Sequence, residues 1–144
     1  MGARRRGREI AVQILYQADV AGVPLSEAFE TYEGYFKPSP KAIEFAKELV
    51  KGVALYQEEL DAWIERFSKN WRLERMSAID RNILRLATYE LFHRPDIPPR
   101  VSINEAVELA KAFGSEESAA FVNGILDAIY KNVIKEDEKR SANP

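Results

Sequence analysis

The sequence predicts an all-helical fold, and three observations carry that prediction. Apolar residues recur at intervals of three and four along nearly the whole chain. No stretch alternates apolar and polar residues in the manner of a half-buried strand. Wherever the helical spacing breaks, residues that stop or start helices (Gly, Pro, Ser) stand at the break. With 144 residues, no linker-like composition and no fixed-period repeat, residues 1–144 read as one compact domain of six to seven helices.

The elements follow in order. From about Arg5 to Ala21, Ile10, Ala11, Ile14, Leu15 and Ala18 share a face, and Gly22 supplies a C-terminal stop. A short helix fits Leu25 to about Tyr35, with Leu25, Ala28, Phe29 and Tyr32 inward, before Pro38 and Pro40 close it. Ser39 and Pro40 form an N-cap and first-turn pair. The long helix they open keeps register from Ile43 to Phe67, with Gly52 or Gln57 as the place for a kink or break. Ser77, with Asp80 three residues on, starts a helix that turns Ile79, Ile83, Leu86, Ala87 and Leu91 inward until Pro95. Pro95, Pro98 and Pro99 make a rigid connection. Ser102 and Glu105 read as a capping box for a helix that Gly114 ends. Ser115 caps a last helix from Glu116 to about Lys135, with Ala120, Phe121, Gly124, Ile125, Ala128, Ile129 and Val133 inward. Residues 136–144 are charged and expected to fray.

Charge is distributed unevenly. The chain carries −2 overall, yet Arg4, Arg5, Arg6 and Arg8 give residues 1–8 a charge of +4, leaving −6 for the rest. Attraction for a polyanion is therefore local, as a docking edge for a phosphate backbone requires. The bland alternative is a solvated charge run with no partner. A secretory signal is excluded because Glu9, Gln13, Gln17 and Asp19 interrupt the stretch that follows. A transit peptide would be serine-rich and acid-poor, and N-myristoylation wants Ser or Thr where Arg6 stands. Zero cysteines exclude disulfides and fit a cytoplasmic protein, and no apolar run approaches the roughly 20 residues that span a bilayer.

Residues for catalysis are scarce. One histidine and no cysteine leave neither a Cys/His dyad nor a multi-histidine metal site, and no phosphate-cradling glycine loop occurs. Glu90 and His93 have the Glu-x-x-His spacing of di-iron bundles, but those sites need two such pairs. Neither catalysis nor a cofactor is expected. The Gly114 turn offers a second binding region instead. Lys111 and Phe113 end one helix, and Ser115, Ser118, Phe121 and Asn123 begin the next. Helix N-termini attract phosphate and aromatics stack unpaired bases, although aromatics at helical spacing more often belong to a core. Glu116 and Glu117 would repel phosphate there.

Four segments carry a resemblance. Arg4 to Gln17 (RRRGREIAVQILYQ), Ile79 to Leu91 (IDRNILRLATYEL), Val101 to Lys111 (VSINEAVELAK) and Phe121 to Asp127 (FVNGILD) resemble the NusB family of transcription antitermination factors, in the same order and over nearly the whole chain. The resemblance implies two packed helical subdomains and a non-enzymatic role. It implies pairing with NusE, a small-subunit ribosomal protein, and binding of single-stranded boxA RNA within an RNA polymerase antitermination complex that reads through terminators in ribosomal RNA operons. By the same resemblance, Arg4, Arg5, Arg6 and Arg8 match an RNA-contacting start. Lys111, Phe113, Glu117, Ser118 and Phe121 match a second RNA-contacting or RNA-tuning region, to which Ser115 and Asn123 are added from the turn itself. Glu117 implies moderated RNA affinity without NusE. Tyr16, Glu74 and Asp80 match the NusE-facing side.

Two other readings stand beside it. One is a NusB-like targeting domain of an RNA methyltransferase, for which the 144 residues contain no nucleotide-binding half. The other is a helical protein-interaction module in which the arginines are only solvated. Some relatives self-associate, so a homodimer that hides the arginines is a further possibility.

Overall fold

A computed structural model describes residues 2–69 and 71–142, with side chains as far as residue 139. Met1, Asn143 and Pro144, the last two from the tail expected to fray, lie outside the described residues. The elements are α1 (Ala3–Ala21), α2 (Leu25–Phe36), α3 (Pro40–Phe67), a 3-10 turn (Leu73–Arg75), α4 (Ala78–His93), α5 (Pro99–Phe113), α6 (Ser118–Ile129), a π-helical turn (Tyr130–Ile134) and α7 (Lys135–Ala142). Among the described residues there is no strand.

Local chemistry sets most of the ends. Gly22 closes α1 in the left-handed region at φ 68°, its N–H donating to the Ala18 carbonyl at 2.9 Å. Ser39 Oγ accepts from the Ala42 N–H at 3.3 Å, and Ser77 Oγ accepts from the Asp80 N–H at 3.1 Å. Helices α1 to α3 pack on one side of α4, and α5 and α6 pack on each other and against it. Helix α4 lies between them, touching α1, α3, α5 and α6. It is consequently buried on nearly every side, which places Asn82, Arg85, Thr88 and Glu90 in the interior beside the expected apolar residues.

The structure departs from the sequence expectation at five places. The long helix α3 runs unbroken for 28 residues through Gly52 and Gln57. Gly52 is a contact rather than a hinge: a Cβ there would overlap the ring of Tyr89 on α4. Helix α5 starts at Pro99, so Ser102 and Glu105 lie inside it rather than capping it. The Pro98–Pro99 pair sets the helix going a turn early, because proline fits the first turn without loss of a hydrogen bond.

Helix α6 starts at Ser118, two residues late, and Ser118 rather than Ser115 provides the cap-like bond. Its Oγ accepts from the Ser115 N–H at 2.9 Å. The buried stripe is Val122, Ile125, Leu126, Ile129 and Ile134, while Ala120 and Gly124 face outward. The π turn lets Ile134 follow Ile129 at a spacing of five, which pure α periodicity misses. Residues 135–142 then continue as helix where fraying is expected.

Candidate nucleic-acid interface

The N-terminal arginines sit on the first turns of α1, where the helix crosses α3 and faces α5. Gly7 permits the crossing, since a Cβ there would come within 2.8 Å of Phe45 and 3.0 Å of the Ala42 carbonyl. The four side chains then diverge. Arg4, Arg5 and Arg6 are about half exposed, at 54%, 49% and 47%. Arg8 is 5% exposed.

Arg8 is in phase with Ala11, Val12 and Leu15, all buried on the same face of α1. Its Nε and Nη2 donate to Glu90 Oε2 and Oε1 at 2.8 and 2.9 Å, and Ser102 Oγ donates to the same Oε1 at 2.7 Å. This corrects the expectation of four phosphate-facing arginines. Only three are on the surface, and the fourth is an internal ion pair that ties α1 to α4. Glu90 is thereby spoken for, while His93 stacks on Tyr56 at 3.8 Å and meets Glu59 at 2.8 Å.

The three surface arginines are themselves paired. Arg5 forks onto Glu105 through Nε and Nη2 at 3.1 and 2.7 Å. Arg4 Nη2 donates to Asp96 at 3.2 Å, and Arg6 reaches Glu9 at 3.2 Å and the Tyr32 hydroxyl at 3.0 Å. The hydrogen bonds and charge of Arg94 pull the Asp96 carboxyl down to about 2. Arg5, chiefly by its hydrogen bonds, holds Glu105 below the usual carboxylate range despite partial burial. Asp96 and Glu105 are thereby ionised at neutral pH, so the folded edge carries far less net positive charge than residues 1–8 do in the sequence.

The Gly114 turn is equally particular. A Cβ on Gly114 would collide with Ser118, whose side chain tucks beneath the turn. Ser118 is 1% exposed and serves the turn, so it is not available to a ligand as the sequence reading has it. Lys111, Phe113, Ser115, Glu117 and Asn123 are exposed, and Phe121 is half-buried. Ser115 Oγ donates to Glu117 at 3.3 Å, and Lys111 lies 3.5 Å from Glu108. Phe121 and Trp71 form a T-shaped pair with centroids 6.2 Å apart, in a crevice of about 280 Å3 that Arg75, Asp80 and Glu117 also line. Sequence reasoning did not select Trp71; an aromatic in the gap between two helices was the available signal.

Tertiary structure joins the two regions. One crevice holds Arg5 and Glu9 from α1 with Glu108 and Ala112 from α5. Beyond it a groove of about 570 Å3 takes in Gln13, Tyr16, Tyr32, Tyr35, Phe36 and Phe113. Ser77 lines both that groove and the Trp71–Phe121 crevice. Tyr16 of the groove and Asp80 of the Trp71–Phe121 crevice are thus linked through Ser77, and Phe113 of the groove follows Ala112 of the arginine-lined crevice along α5. Glu74 stands further out on the 3-10 turn, 3.8 Å from Arg72.

Comparison with known proteins agrees with this architecture. The sequence model described as the NusB family matches residues 5–131. The transcription antitermination protein NusB of Myxococcus xanthus is 58% identical over 133 residues, covering 90% of this chain and 95% of that protein. A T. maritima NusB structure superposes with a TM-score of 0.82 at 39% identity, covering 95% of this chain and 96% of that one. A crystal structure of antitermination factors NusB and NusE in complex with double-stranded RNA has a TM-score of 0.81 at 33% identity, covering 90% and 96%. Helical fold and similarity together define a transcription antitermination factor. The chain belongs to the NusB family.

Proposed function

We propose that this protein is an RNA-binding antitermination adaptor of the cytoplasm, acting as one helical domain. It pairs with a NusE-type ribosomal protein, binds single-stranded boxA RNA and works within an RNA polymerase complex that reads through terminators in ribosomal RNA operons. One observation carries the reading. Arg5 of α1 lines a crevice walled by Glu108 and Ala112 of α5, and the next α5 residue, Phe113, lines the groove with Gln13 and Tyr16 further along α1, so a cation that can meet phosphate stands near an aromatic that can stack on a base. The related NusB–NusE–RNA complex supports it. The apolar groove with Tyr16, Tyr35 and Phe36 is the protein-facing surface, open to NusE or to a second copy of this chain.

The test is a titration of labelled boxA RNA, a scrambled strand and a duplex, each with and without NusE. Preference for the boxA strand, sharpened by NusE, is the expected result. Equal affinity for all three in every condition overturns the reading. With three surface arginines each meeting one phosphate, log K should fall against log salt with a slope of about −2. The triple variant R4A/R5A/R6A should lose that slope, measured by the same titration in a salt series.

A further inference from the structure

Building on the RNA-binding reading, we propose that Glu105 and Asp96 occupy the guanidinium edges that Arg5 and Arg4 offer to phosphate. RNA then binds by exchanging a carboxylate for a phosphate at each arginine, and these two acids set the affinity.

The geometry supports exchange over a fixed brace. Glu105 takes Nε and Nη2 of Arg5 together at 3.1 and 2.7 Å, the same two-pronged edge that a phosphate takes. Asp96 holds Arg4 through a single bond of 3.2 Å. Each acid has another cation to keep when its arginine leaves. Asp96 is forked by Arg94 through two bonds of 2.9 Å, and Glu105 accepts from Arg8 Nη1 at 3.4 Å. Neither carboxylate is abandoned in the interior, which is what makes breaking a buried pair costly.

Exposure is divided to match. Arg4 and Arg5 are about half exposed and can swing to a ligand, whereas Arg8 and Arg94, which stay behind, are 5% and 18% exposed. Glu105 and Asp96 come from α5 and the proline-rich connection, about a hundred residues along the chain from the arginines. The device is assembled by the fold.

The experiment titrates a short labelled single-stranded boxA RNA against the full chain and its E105Q and D96N variants at low and high salt. Each variant should bind about two- to fivefold tighter at low salt, with the gain shrinking as salt rises. E105Q placed in an R5A background should gain nothing, because the carboxylate acts through that arginine. Unchanged or weaker binding by folded E105Q and D96N overturns the proposal. So does a gain that survives R5A, which would reflect bulk charge alone. Circular dichroism checks the fold, and D96N, on the surface, keeps the test available if E105Q disturbs Arg8. Failure of R4A/R5A/R6A to weaken RNA binding would instead remove the clamp itself, so the two failures are separable.

Discussion

Arg8 and Glu90 illustrate how position outweighs residue type. Both are charged, and both stand in phase with apolar neighbours: Arg8 with Ala11, Val12 and Leu15, Glu90 with Ile83, Leu86 and Ala87. Each alone in the interior would be untenable, and together with Ser102 they satisfy one another through bonds of 2.7 to 2.9 Å. Replacing Glu90 by Ala leaves the buried Arg8 charge only its long 3.4 Å contact with Glu105. Urea unfolding should register a loss of about 3–5 kcal/mol, among the largest for any single change in this chain. Replacing the exposed Arg6 by Ala should cost less than about 1 kcal/mol of stability in the same measurement, because its ion pair is screened by solvent. The periodicity around Arg8 is legible in the sequence, but beside three other arginines the residue reads as part of a surface cluster.

At the scale of elements, two glycines in helix interiors have opposite meanings. Gly52 in α3 makes room for Tyr89 of α4, and Gly124 in α6 faces open space. Thermal denaturation should therefore separate them. Gly52→Ala forces ring or backbone to shift and should destabilise by about 1–3 kcal/mol. Gly124→Ala should stabilise by up to about 1 kcal/mol through helix propensity alone. Sequence periodicity cannot distinguish the two, because both are small residues in a helical run. The same gap explains the rotated stripe of α6. An apolar pattern identifies a helix readily, but a π turn at Tyr130–Ile134 changes its phase, and only packing reveals which face turns inward.

The whole molecule is a set of helices pinned by ion pairs between distant segments. Asp19 of α1 accepts from Arg81 and Asn82 of α4, and Arg85 forks onto Asp61 of α3 at 2.8 and 3.1 Å. Burial alone would raise the Asp19 carboxyl, but those hydrogen bonds and the arginine charges hold it below its ordinary value. Asp96 and Glu105 are lowered likewise. A carboxyl lowered by folding stabilises above its unfolded value and loses that contribution as pH falls through the folded one. The unfolding midpoint should be flat from neutrality to about pH 5 and fall between about pH 4 and about pH 2. D96N should show a shallower fall, and an unchanged profile would count against the Asp96 pairs. The all-helical class and most helix ends are legible in the chain because apolar period, caps and prolines are local chemistry, and the family is legible in four contiguous segments. Only the packing of helices settles which arginine is buried, that Ser102 serves Glu90 and Glu105 serves Arg5 and Arg8 rather than a cap, and that α5 leads from the arginine crevice to the Gly114 turn. Those facts depend on which helices cross, and chain-distant partners for a charge are not written beside it.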